Sequence, residues 1–122
     1  MSKKVLVVDD SSTIRQQVGQ ALVQAGFDVV EACDGVEGVK LLSGQHDVSL
    51  VICDVNMPHM DGIEMVRTVK ADGNNARLPI VMLTTEGQPA LIRQAKKAGA
   101  AGWIVKPFNA ARLIAAAEQL AA

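Results

Sequence analysis

Short apolar runs alternate with longer amphipathic ones along the whole chain. KVLVV (4–8), FDVVEA (27–32), SLVIC (49–53), PIVML (79–83) and GWIV (102–105) are rich in β-branched and apolar residues. Each has the length of a strand and is too short for a helix. The segments between them carry apolar residues at helical spacing. In the first, Ile14, Val18 and Leu22 recur every fourth residue, and Ala21 and Ala25 widen the stripe. Ser11 or Ser12 suits its start and Gly26 its end. A second helix is predicted over 35–42 on Val36, Val39 and Leu42, and a third after Gly62 on Ile63, Val66 and Val69. A fourth runs through Leu91, Ile92, Ala95 and Ala98 to Gly99, and a fifth over ARLIAAAEQLAA (111–122). ADGNNAR (71–77) has the composition of a surface turn.

Five strands alternating with five helices predict an α/β domain, a parallel sheet covered on both faces. The first, third and fourth runs are almost continuously apolar, as strands buried on both faces are. The second alternates at Phe27, Val29 and Glu31, which suits a sheet edge. No linker, repeat or low-complexity tract interrupts the alternation, so residues 1–122 read as one domain.

Charge narrows the function. Twelve basic residues face 13 acidic ones, a net charge of −1, which argues against nucleic acid as a partner. No apolar run approaches the roughly 18 residues needed to span a bilayer. MSKKVLVVDD lacks the apolar stretch and cleavage site of a signal peptide. No membrane insertion and a cytoplasmic location are therefore expected. In that setting Cys33 and Cys53 read as buried, structural thiols.

Candidate chemistry lies where the strands end. Asp9 and Asp10 follow the first strand, Asp54 the third, Thr84 and Thr85 the fourth, and Lys106 and Pro107 the fifth. The second ends less distinctively, at Cys33 and Asp34. Taken singly each residue has an ordinary explanation: a helix cap for Asp10, a turn for Asp54, a strand end for Thr84, a solvated surface lysine for Lys106. Together they fall on one rim of the sheet, where α/β folds bind ligands. In the order 2-1-3-4-5, strands 1 and 3 are neighbours about 4.8 Å apart, so the three carboxylates converge. We expect these acids at the solvent rim, not in the core. Clustered carboxylates repel unless one is protonated or a cation sits among them. An all-oxygen donor set selects Mg²⁺, Mn²⁺ or Ca²⁺ over zinc. Lys106 and Thr84 offer charge and a hydroxyl on the far side, and Asp54, between the two groups, is the candidate nucleophile for an aspartyl phosphate. The same order puts strand 1 between the two cysteines, roughly 9–10 Å apart and beyond an unstrained disulfide.

VVDDSST (7–13), CDVNMPHMDG (53–62), MLTTE (82–86) and VKPF (105–108) resemble, in this order and over nearly the whole chain, the receiver domain of two-component response regulators. The likeness is greatest to the single-domain chemotaxis type. The order 2-1-3-4-5, doubly wound and flavodoxin-like, is the family's own and is not independent of the resemblance. The resemblance implies that Asp54 is the phosphoacceptor, and that Mg²⁺ is held by Asp10, Asp54 and the Asn56 backbone carbonyl, with Asp9 acting through water. Thr84 would bond the phosphoryl group and swing inward, and Lys106 would pair with a phosphoryl oxygen. Asn56 and Glu86 would tune the lifetime of the mark. Pro58 and Gly62 would shape the loop and start the third helix, and the Lys106–Pro107 bond would be cis. Trp103 stands where the family usually has Tyr or Phe that turns inward with the Thr, and Val55 where the chemotaxis type often has Trp. The implied function is a phosphoacceptor for a histidine kinase that catalyses its own Mg²⁺-dependent phosphorylation and dephosphorylation. It is not a conventional enzyme, and it would serve chemotaxis or motility signalling.

With nothing after the fifth helix, output is expected through protein contact, on a face of helix 4, strand 5 and helix 5. The alanines of helix 5 outside its core stripe of Leu113, Ala117 and Leu120 (Ala110, Ala111, Ala115, Ala116, Ala121 and Ala122) and Arg93, Lys96 and Lys97 of helix 4 are expected there. Three other readings compete with this one. A flavin-binding protein would want a Ser/Thr-rich phosphate loop and more aromatics, and a metal-dependent aspartyl phosphatase would carry D-x-D. An adaptor working without phosphorylation would not need the complete site.

Overall fold

The computed structural model describes residues 3–44, 47–57, 59–85 and 89–121, the Asn74 side chain apart. In chain order the elements are β1 (Lys4–Val8), α1 (Ser12–Gln24), β2 (Asp28–Ala32), α2 (Gly35–Gly44), β3 (Val48–Asp54), α3 (Gly62–Ala71), a 3₁₀ turn (Gly73–Asn75), β4 (Ile80–Thr84), α4 (Pro89–Ala98), β5 (Gly102–Val105) and α5 (Ala110–Leu120). The strands form one parallel sheet in the order β2-β1-β3-β4-β5.

Alternate residues of each strand face opposite layers, and two cores result. Leu6, Val8, Val51, Cys53, Ile80 and Met82 pack with Leu42 of α2, Met65 and Val66 of α3 and Ala95 of α4. Val5, Val7, Leu50, Ile52, Val81 and Leu83 pack with Val18 and Leu22 of α1 and Leu113 and Ala117 of α5. The central strands are therefore apolar on both sides, while β2 is an edge, as its alternation suggested.

Several expectations change. β3 and β4 run one residue further than the apolar pattern indicated, so Asp54 and Thr84 are the last strand residues, in register with Leu83 and Val105. The α2 stripe is not Val36, which is exposed, but Gly35, Gly38 and Leu42, with Val39 half-buried. A Cβ at Gly38 would stand 2.8 Å from Met65 Cε, so the glycine lets α2 and α3 approach closely. Ala25 is exposed and caps the end of α1. α5 starts one residue earlier than expected, capped by Asn109, whose Oδ1 accepts from the Ala111 and Arg112 amides at 2.9 and 3.2 Å, and Ala121 at its other end is buried, not part of its surface. Cys53 is buried, but Cys33 at the open end of the edge strand is exposed, so it is not a core thiol; neither forms a disulfide. The 71–77 turn contains the 3₁₀ segment, with Asn75 buried.

Gly62 sets where α3 begins. Its amide donates to the Val55 carbonyl at 2.8 Å. A Cβ there would overlap the Asp54 carbonyl oxygen and lie 2.8 Å from Met82 Cε. Gly62→Ala is therefore expected to cost about 2–3 kcal/mol, well above the fraction gained in helix propensity. Urea denaturation of the two proteins measures the difference.

Candidate functional site

Asp9 leaves β1 directly into the site and is 1% exposed. Four contacts hold it. Its Oδ1 accepts from the Ser11 amide at 2.9 Å and its Oδ2 from Lys106 Nζ at 2.9 Å. Its own amide donates to the Ala32 carbonyl at 3.1 Å, and its carbonyl accepts from Arg15 Nη1 at 2.6 Å. The expectation of a solvated rim acid thus fails for Asp9: two donors on the carboxylate replace the water lost on burial. Asp10, the next residue, is exposed. Ser11 closes the turn by capping α1, its Oγ accepting from the Ile14 amide at 3.3 Å.

Asp54, at the end of β3, is 6% exposed, with Oδ1 3.6 Å from Lys106 Nζ. One carboxylate oxygen from each of Asp9, Asp10 and Asp54 lies within 4.8 Å of the others. Lys106 reaches them from just beyond β5. Its amide donates to the Thr84 carbonyl at 2.6 Å, and its bond to Pro107 is cis. Thr84 is fully buried at the end of β4. Asn56 is exposed in the loop two residues past Asp54, between buried Val55 and α3. Pro58 and Glu86 lie outside the described residues.

Burial, then the Asp9 and Asp10 carboxylates, push the Asp54 carboxyl up to about 6, against the opposing pull of Lys106 and the Val55 amide. A divalent cation among three acids removes that repulsion. The donor set fits one: it is all carboxylate oxygen, the preference of a hard ion such as Mg²⁺, and no thiol or imidazole among the described residues joins it.

Trp103 lies in β5 opposite Met82, half-buried against the α3–α4 layer. Its Nε1 is buried and has no hydrogen-bond partner among the described residues.

Sequence reasoning did not find two supports of the site. Arg15 ties Asp9 to β2, its Nε donating to Glu31 Oε1 at 3.1 Å. Its place one turn after the helix cap is the only hint the sequence offers. His59, at a φ of 69°, meets Asp34 Oδ2 through Nδ1 at 3.0 Å and links the loops after β2 and β3. No local signal marks that pair.

Against known proteins, residues 5–118 match the response regulator receiver domain. The chain belongs to this family. It is 48% identical over 107 residues to a chemotaxis protein CheY homolog of Campylobacter jejuni, covering 87% of this chain and 82% of that one. Chemotaxis protein CheY1 of Helicobacter pylori is 46% identical over 107 residues, covering 87% and 86% of the two chains. The structure of Vibrio cholerae chemotaxis protein CheY4 superposes with a TM-score of 0.93 at 41% identity, covering 98% of this chain and 99% of that one. A five-stranded parallel sheet in this order with five helices is the receiver fold. No helix among the described residues is long and apolar enough to cross a membrane.

The raised Asp54 carboxyl has a consequence for stability. Folding strengthens proton binding at Asp54, so its contribution is full below roughly pH 4 and is lost as pH rises through about 6. In EDTA, Asp54→Asn is expected to be about 1–2 kcal/mol more stable than the parent near neutral pH, less than the roughly 3 kcal/mol of a two-unit shift. The gap should close in acid. Urea denaturation across pH checks both.

Proposed function

We propose that this protein is a phosphorylatable response regulator in a two-component chemotaxis or motility pathway, with Asp54 as phosphoacceptor. The observation that carries the reading is the convergence of three carboxylates within 4.8 Å beside Lys106, whose ammonium is shared between Asp9 and Asp54. The names of the relatives supply the pathway.

In this reading an Asp54 carboxylate oxygen attacks the phosphorus of a histidine kinase's phosphohistidine. The new P–O bond forms as the P–N bond breaks, and the nitrogen keeps the electron pair. Asp10, Asp54 and the Asn56 carbonyl would hold Mg²⁺, with Asp9 acting through water, and the ion would supply charge neutralisation at the phosphoryl oxygens. Lys106 moves from Asp54 to a phosphoryl oxygen, which it can do because its 2.9 Å bond to Asp9 anchors it at the site. The Thr84 hydroxyl bonds a second oxygen. Hydrolysis by water at phosphorus restores the carboxylate, with Asn56 and Glu86 setting the rate.

The Thr84 shift is read out by Trp103. Its buried, unpartnered indole N–H costs about 1–3 kcal/mol as it stands, so a rotamer that finds an acceptor is within reach. The output face is α4, β5 and α5, where Val105 is 47% exposed beside the exposed alanines of α5. The kinase and a downstream protein dock there, in the cytoplasm.

Mg²⁺ and acetyl phosphate should add one phosphoryl group to the intact mass, and Asp54→Asn should abolish the gain. No gain, or one that survives the substitution, overturns the assignment. Beryllium fluoride should change the fluorescence of the single tryptophan. An unchanged spectrum refutes the Trp103 switch alone.

A further inference from the structure

The chain is slightly acidic, yet α3 and α4 carry Arg67, Lys70, Arg93, Lys96 and Lys97 against one acid, Glu64. Between the two helices runs an open groove of ≈ 720 Å³, lined by Arg67, Lys70, Ala71, Gln94, Lys97 and Ala98. Three cations, two alanines and Gln94 line it. Lys70 is a fixed wall, its Nζ donating to the Ala76 and Leu78 carbonyls. Arg67 and Lys97 are exposed and make no ion pair among the described residues. A smaller cleft of ≈ 180 Å³ continues from it, sharing Arg67 and Gln94 and ending at Val55 and Asn56.

We infer that the α3–α4 groove docks a short, extended, acidic segment of a partner protein, whose far end lies beside the loop after β3. The dimensions suit a peptide. From Ile63 to Ala71 α3 rises about 12 Å, the reach of roughly four extended residues. Three cations interspersed with two alanines match a strand of carboxylates alternating with small side chains. A nucleic acid fits less well. No aromatic residue among the described ones lines the groove to stack a base. This surface shares α4 with the α4–β5–α5 output face but opens toward α3, and it does not depend on Asp54 chemistry.

The test uses the full chain, ¹⁵N-labelled, without Mg²⁺ or phosphodonor, so its failure leaves the Asp54 reading untouched. The probe is a synthetic peptide of alternating Glu and Ala. Controls are the Gln version and an oligothymidylate of equal charge. We expect saturable shifts centred on residues 67, 70, 94 and 97, and no binding of the Gln peptide. R67E/K97E should weaken binding at least tenfold, and the milder R67Q/K97Q less, both with unchanged circular dichroism. Overturning results are no saturable binding, shifts scattered over all basic residues, affinity unmoved by either variant, or tighter binding of the oligonucleotide at the same residues.

Discussion

Asp9 and Asp54 lie buried side by side at the end of the sheet, and one ammonium, that of Lys106, stands near both at 2.9 and 3.6 Å. A single cation cannot balance two carboxylates with Asp10 as a third. Asp9 takes the closer contact and a backbone N–H besides, and Asp54 is left short of positive charge. Burial first, and that shortfall with it, raise the Asp54 proton affinity, and the shortfall makes the cluster receptive to a divalent ion. The proposed roles of Asp54 as acceptor, Lys106 as anchor and the three acids as cation seat rest on this one crowding of charge.

The sheet makes the imbalance possible. Parallel strands end together on one rim, and the register aligns Val8 with Cys53, Asp54 with Leu83 and Thr84 with Val105. Each polar residue is therefore carried to the rim by an apolar strand locked on both faces. Gly62 lets α3 start against the Asp54 carbonyl, which fixes the loop that holds Asn56. On the other side of the site, β4 and β5 bring a buried Thr84 and a Trp103 whose indole N–H has no partner among the described residues.

Much of this is legible in the sequence, for physical reasons. β1, β3 and β4 are buried on both faces, so they read as unbroken apolar runs, and the residues that end them stand out. The strand order came with the family resemblance. What failed to read depends on partners distant in the chain or on residues without hydropathy. The burial of Asp9 depends in part on Lys106, 97 positions away, which meets its carboxylate alongside the Ser11 amide. The α2 contact surface escaped because Gly35 and Gly38 carry no side chain to count, and Val36 drew attention in their place. Cys33 looked buried by type but sits at the open end of an edge strand. The basic α3–α4 groove is likewise invisible until the two helices are side by side.

The central claim is that Asp9, Asp10 and Asp54 form one cation seat beside Lys106. Anomalous diffraction from crystals grown with Mn²⁺ tests it most directly. The account predicts a single strong peak at bonding distance from Asp10, Asp54 and the Asn56 carbonyl, lost in Asp10→Asn/Asp54→Asn. A peak elsewhere, or none at saturating metal with Lys106 still bridging Asp9 and Asp54, would contradict it.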